Sequence, residues 1–327
     1  MDIISVKEYL GDSWTAVSER IVKSLDSDIT LLNATNSSIL KHSGKQLRPL
    51  LALLLARACN GGKTTESTIR YAAASELLHN ATLLHDDVAD DSDQRRGVPT
   101  IMSLMGPSVS VLIGDYWLVK AMELILGDCE SDTRVIRIFS KTLSDLAEGE
   151  MLQLQKAQSG DTDENDYFRI IYGKTASLFE AACLSAAVSV SASKEYETAA
   201  CDYAVALGKA FQIKDDILDY DGTDSVGKPL GVDILEQKIT MPLLGAMTNA
   251  GTVEEERIRG LVKDIVEHPE YRDEIVTFVK SNGGLDYAVA ALEKYVDIAV
   301  RAIDVLPDSY EKTCLVELAH FTARRKK

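Results

Sequence analysis

The chain has 327 residues, a formal net charge of -16 from 51 acidic against 35 basic side chains, and five scattered cysteines. The acid excess argues against a nucleic-acid binder. Cysteines without a Cys-x-x-Cys pair, behind no recognisable secretory leader, give the expectation of a reduced, cytoplasmic protein.

Helical periodicity runs along the whole chain, with no sustained strand-type alternation, no linker rich in Pro, Gly or Ser, and no shift of composition near the middle. The expectation is one all-α domain spanning 1–327, a large bundle of about ten or more helices around a central cavity. In chain order, Gly44-Lys45-Gln46-Leu47-Arg48-Pro49 opens a helix, since Pro49 suits a first turn. The apolar run from Leu50 to Ala56 is far shorter than the roughly 20 residues that cross a bilayer. Breaks fall at Asn60-Gly61-Gly62, Gly127-Asp128, Ser159-Gly160-Asp161, Gly222-Thr223-Asp224, Asn249-Ala250-Gly251, His268-Pro269 and Asn282-Gly283-Gly284. Segments 176–190 and 199–210 are rich in Ala and Ser, which suits close helix approach around a central space, or simply ordinary packing. Thr252-Val253-Glu254-Glu255 predicts a capping box with Thr252 as the N-cap.

Two apolar, helix-like runs end in acid: Asp86-Asp87-Val88-Ala89-Asp90 and Asp215-Asp216-Ile217-Leu218-Asp219. Residues four apart share a helix face, so Asp86 stacks over Asp90 and Asp215 over Asp219. Reading back along those faces gives Leu83, Thr82 and His79 for the first and Gln212, Phe211 and Gly208 for the second. Both acid pairs are therefore predicted to point inward, where unpaired charge must be neutralised. Oxygen-only ligands without a His/Cys cluster suit magnesium better than zinc, and magnesium shares its shell with phosphate oxygens. A diphosphate bridged by magnesium to Asp86, Asp90 and Asp215 follows. Either motif alone reads first as a solvated helix end. A calcium loop of Asp-x-Asp-x-Asp-Gly form is missing from the sequence.

A phosphate site also needs protein cations. Lys45 and Arg48 stand at the helix start, Arg95-Arg96-Gly97 follows the first motif, and Lys174-Thr175 and Gly227-Lys228-Pro229-Leu230-Gly231 add more. Any one of these is ordinarily a surface ion-pair former. Their placement around two acidic motifs is what favours a site.

Read together, these segments resemble the all-trans polyprenyl diphosphate synthases, of the long-chain, octaprenyl diphosphate synthase-like type. The resemblance runs through Gly44-Lys45-Gln46-Leu47-Arg48-Pro49, Glu76-Leu77-Leu78-His79, Leu84-His85-Asp86-Asp87, Asp93-Gln94-Arg95-Arg96-Gly97, Ile113-Gly114-Asp115, Ala147-Glu148-Gly149-Glu150, Gly173-Lys174-Thr175, Phe211-Gln212-Ile213-Lys214-Asp215-Asp216 and Lys238-Ile239-Thr240. Val98 stands where that family commonly has Lys, and Met241 where it commonly has Leu. Neither departure removes a ligand or a cation.

The resemblance implies an isoprenoid synthase fold, a homodimer, and head-to-tail prenyl transfer, in which an allylic diphosphate such as farnesyl diphosphate loses pyrophosphate and its prenyl group joins isopentenyl diphosphate. It implies that Asp86, Asp87, Asp90, Asp215, Asp216 and Asp219 hold magnesium, three ions with the allylic diphosphate. Arg95, Lys174, Thr175, Gln212, Lys228 and Lys238 would surround that substrate, with Asp86, Asp90, Asp215, Lys174 and Arg95 carrying the chemistry. Lys45, Arg48, His79 and Arg96 would bind isopentenyl diphosphate, although an isolated His on an apolar face is more often a packed core residue. Ala81 and Thr82 are small where short-product members commonly place an aromatic floor, which implies a hexaprenyl to octaprenyl product. A farnesyl or geranylgeranyl synthase, a terpene cyclase and a noncatalytic subunit are the alternatives. Lys45, Arg48 and Arg96 favour the transferase over the cyclase, and the complete second motif argues against the noncatalytic subunit. Arg324-Arg325-Lys326-Lys327 reads as a solvated helix end first, and as weak contact with anionic lipid second.

Overall fold

The computed structural model describes residues 2–42, 44–95, 97–127, 133–221 and 231–325, apart from the side chain of Asp221. Its helices are α1 (Ile3–Leu10), α2 (Asp12–Ser24), α3 (Thr30–Lys41), α4 (Leu47–Cys59), α5 (Glu66–Ala89), α6 (Ile101–Met105), α7 (Pro107–Leu126), α8 (Thr133–Ser159), α9 (Glu164–Ile171), α10 (Ser177–Ser189), α11 (Lys194–Asp221), α12 (Val232–Leu235), α13 (Met241–Ala250), α14 (Thr252–Lys263), α15 (Tyr271–Ser281), α16 (Gly284–Ala302) and α17 (Tyr310–Arg324). A π-helical turn, Tyr172–Ala176, joins α9 to α10. The all-α expectation holds. Among the described residues, the sheet is confined to an antiparallel hairpin of β1 (Gln94–Arg95) and β2 (Val98–Pro99), too short to show as alternation in the sequence.

Packing divides the chain into two compact units. One takes Met1–Ser140, Ala181–Cys201 and Val305–Leu315, the other Lys141–Glu180, Asp202–Asp304 and Val316–Lys327. Four of the five divisions fall inside α8, α10, α11 and α17, and the fifth lies between α16 and α17.

In the first unit α5 is the hub, packed against α2, α4 and α7. Tyr71, Ala72, Ala73, Ala74, Leu77, Leu78 and Ala81 are each at most 2% exposed, and with Ser75, Glu76 and Asn80 also buried α5 is enclosed nearly all round. It starts at a capping box in which the Thr65 hydroxyl accepts from Thr68 N–H and Thr68 Oγ1 accepts from Thr65 N–H, both at 3.1 Å. Such a cap is worth about 1 kcal/mol. Residues 50–56 lie in α4 and are no more than 1% exposed, so the apolar run is a core helix. Among the described residues no helix is long and apolar enough to cross a membrane.

In the second unit α13 packs on α14, α15 and α16. Gly245 lets α16 come close, since a Cβ there would lie 2.5 Å from the Tyr287 side chain. The capping box expected at Thr252 does not form: Gly251, at φ +85°, is the N-cap and Thr252 is already helical. The Gly takes a left-handed turn that Thr cannot adopt cheaply, which moves the start by one residue. Most breaks read from the sequence separate helices as expected, while Asp128 and Gly222-Thr223-Asp224 lie outside the described residues.

Candidate functional site

The first acidic motif closes α5. The member buried here is Asp87, at 4% exposure, whereas Asp86 is half-buried and Asp90 is the exposed C-cap. This corrects the expectation that the Asp86/Asp90 face points into the core. The buried stripe of α5 runs Ala81, Leu84, Asp87 at three-residue steps, so the face four residues apart is left partly accessible. Asp87 Oδ1 accepts from Arg95 Nε at 2.7 Å. Burial pushes the Asp87 carboxyl up and Arg95 pulls it back. The hairpin aims Arg95: Ser92 N–H donates to Asp87 O at 2.9 Å, and Thr100 Oγ1 donates to Ser92 O at 2.7 Å.

The loop before α4 belongs to the same unit. Gln46 is its N-cap in a left-handed conformation at φ +55°, Lys45 is half-buried and Arg48 is 9% exposed. Lys7 of α1 donates to Gln46 Oε1 at 3.3 Å and lies 4.4 Å over the Trp14 ring, bracing the loop. His79 is half-buried on α5, which packs on α4, and its carbonyl accepts from Thr82 Oγ1 at 2.8 Å. Arg96 lies outside the described residues.

The second motif lies near the end of α11. Again the middle aspartate is buried: Asp216 is 2% exposed and accepts from Tyr167 OH at 2.5 Å and Gln212 Nε2 at 3.0 Å. Thr175 Oγ1 in turn donates to Gln212 Oε1 at 2.9 Å. Burial, with the Asp233 carboxylate behind it, pushes Asp216 up to about 8. Asp219 turns back on the chain, its two oxygens accepting from Val232 N–H at 3.1 Å and Asp233 N–H at 3.2 Å. It thereby sets Asp233, which burial and the Asp219 charge push up to about 6 while Lys238 and Lys174 pull it down.

Lys174 stands in the π-helical turn, a form frequent at functional sites. Its Nζ pairs with Glu150 Oε2 at 2.8 Å. The turn lies hard against α8, where a Cβ on Gly149 would sit 2.8 Å from Lys174 N and one on Gly173 2.6 Å from Asp145 O. Only glycine fits at both places. Lys238 pairs with Glu236, and Lys228 lies outside the described residues.

Arg325 corrects the reading of a solvated basic end. It is 7% exposed, its Nη2 donates to Asp215 Oδ1 at 2.7 Å and to Phe211 O at 2.9 Å, and its guanidinium lies 4.0 Å over the Phe211 ring. A carboxylate, a backbone carbonyl and an aromatic face together replace water around the guanidinium. Lys326 and Lys327 lie outside the described residues. Sequence reasoning also assigned no role to Asp233, Tyr167 or Glu150. The segment Ala147-Glu148-Gly149-Glu150 carried a signal for Glu150, while Tyr167 and Asp233 carried none apart from the fold.

Among the described residues no three His, Cys, Asp or Glu side chains close into a ready cation cage. The donor set nevertheless fits a hard cation. All its donors are carboxylate oxygens, the ligand type a hard cation takes.

Residues 29–279 match the polyprenyl synthetase family model. The chain is 35% identical to octaprenyl diphosphate synthase of Escherichia coli (strain K12), over 99% of each chain. Its structure is similar to a decaprenyl diphosphate synthase from Rhodobacter capsulatus, with a TM-score of 0.92, 34% identity and 100% of both chains covered. It is also similar to a polyprenyl synthase from Caulobacter crescentus CB15 complexed with calcium and isoprenyl diphosphate, with a TM-score of 0.91, 32% identity and coverage of 100% and 98%.

Proposed function

Because the chain belongs to the polyprenyl synthetase family, we propose that it condenses isopentenyl diphosphate head-to-tail onto an allylic diphosphate such as farnesyl diphosphate, giving a long-chain all-trans polyprenyl diphosphate. The observation that carries this reading is the repeated acidic motif. Each has a buried middle aspartate held by protein donors and more accessible aspartates on either side. Buried Asp87 and Asp216 are fastened by Arg95, Tyr167 and Gln212, so they fix the helix ends. Asp86, Asp90 and Asp215 are the residues that would hold magnesium. When bound, magnesium neutralises the diphosphate oxygens and stabilises the charge that develops on the leaving group.

The protein's own share is positioning and charge. Lys174, set by Glu150 and the π-helical turn, and Lys238 present ammonium groups to the allylic diphosphate. Thr175 and Gln212 lock together and orient one another beside them. As the allylic carbon–oxygen bond breaks, its electron pair leaves with pyrophosphate, and fixed cations favour that departure. The double bond of isopentenyl diphosphate supplies the electrons of the new carbon–carbon bond, and the proton lost afterwards passes to the pyrophosphate. Lys45, Arg48, His79 and Arg96 hold the second diphosphate, and the small side chains of Ala81 and Thr82 let the product tail pass.

The chain works as one domain and as a homodimer in this proposal. Leu112, Val119 and Leu126 on α7 are 67%, 54% and 48% exposed at seven-residue spacing, an apolar stripe suited to a second copy. The reading is tested with Asp86→Ala and Asp215→Ala, each expected to lower turnover by orders of magnitude. Full activity in either variant, or in EDTA, contradicts it.

A further inference from the structure

The last turns of α5 rest on α7 through a seat that the reaction itself does not require. Ser110, completely buried, donates from Oγ to the Leu84 carbonyl at 2.9 Å. One turn on, Gly114 has ordinary helical backbone, so conformational freedom does not explain it. What does is the His85 imidazole: a Cβ on Gly114 would lie 2.4 Å from Nε2 and 2.6 Å from Cδ2. The ring therefore lies directly on the Gly114 backbone, and its Nε2 stands 3.3 Å from Asp115 Oδ1 without making a hydrogen bond to it. Ser110 and Gly114, four residues apart, lie on one face of α7 and meet two consecutive residues of α5, Leu84 and His85. The next residue is Asp86.

We infer that α7 positions the first acidic motif, with Gly114 and His85 as positioning residues that fix the direction in which Asp86, Asp87 and Asp90 leave α5. This rests on the reading of Asp86 and Asp90 as magnesium-binding. A hydrogen bond at Leu84 O and a ring wedged at His85 restrain both the axial position and the rotation of the final turn. A carboxylate pair that shares a metal tolerates little error in either, and groups that orient metal ligands typically change metal affinity by about 10- to 100-fold when lost. Ordinary packing would also favour a small residue at 114, but it predicts lost stability without a specific effect on metal.

The test is a double-mutant cycle of Gly114→Ala and His85→Ala in the full-length protein. Urea unfolding, Mn2+ affinity by electron paramagnetic resonance, and steady-state kinetics are measured on each. Gly114→Ala pushes the ring off its seat. It is expected to weaken Mn2+ binding and lower kcat by about tenfold or more, with KM for isopentenyl diphosphate nearly unchanged. With the ring removed, the three atoms nearest the added methyl are gone, so the double variant should match His85→Ala alone in Mn2+ affinity. Independent, additive losses, or a Gly114→Ala that is destabilised yet binds Mn2+ normally, overturn the inference. If Gly114→Ala does not fold, His85→Ala decides: unaltered Mn2+ affinity overturns it. Asp86→Ala is the control for the underlying reading, since normal Mn2+ binding by that variant refutes the metal assignment itself.

Discussion

Asp216 makes metal-free stability depend on pH in an unusual direction. It is 2% exposed and held up to about 8 by burial, against an ordinary value of 3.8 in an unfolded chain. Between those values the fold keeps a proton that the unfolded chain has released, so stability falls as pH rises and levels off above about 8. One retained proton corresponds to about 1.4 kcal/mol per pH unit, so raising the pH from 6 to 8 should remove up to about 2 to 3 kcal/mol. The assay is urea unfolding in EDTA at pH 6, 7 and 8, for the unmodified chain and for Asp216→Asn. The substitution leaves no proton to lose, and the difference between the two profiles reports Asp216 together with its coupling to Asp233. Excess magnesium should flatten the unmodified profile, because a cation that neutralises neighbouring carboxylates lowers the cost of ionising Asp216. Superimposable profiles for the two proteins would refute the reasoning.

Lys45→Ala and Arg96→Ala are expected to raise the KM for isopentenyl diphosphate, whereas Lys174→Ala lowers kcat by slowing ionisation; equal effects of all three on both substrates would show the two diphosphate pockets to be misassigned. Ala81→Phe is expected to convert the enzyme to short products. Because Ala81 is 1% exposed, it should also destabilise the fold by about 1 to 3 kcal/mol. Destabilisation with an unchanged product, read by mass spectrometry, would make Ala81 a packing residue only.

Much of this is legible in the sequence. The seven-residue apolar run is a buried helix because it has no polar face to leave in water, and the Ala-rich approach to Asp86 is buried although it carries Ser75, Glu76 and Asn80. The paired motifs gave the chemistry, but not which aspartate is buried: a four-residue stack and a three-residue stripe both pass through them, and tertiary partners such as Arg95 and Tyr167 decide between the two. Thr252 reads as an N-cap because a capping box and a helical first turn share one pattern, and the positive φ of Gly251 that moves the cap is not encoded in that pattern. Arg325 looked like a solvated end because its partners, Asp215 and Phe211, lie more than a hundred residues earlier. No periodicity encodes a contact at that separation.

The central claim is the synthesis of a long chain, and the most direct measurement is the mass of what the enzyme makes from farnesyl diphosphate, isopentenyl diphosphate and magnesium. The account predicts all-trans products in the hexaprenyl to octaprenyl range and no product in EDTA. Products that stop at farnesyl or geranylgeranyl diphosphate, or a cyclised hydrocarbon, would contradict it.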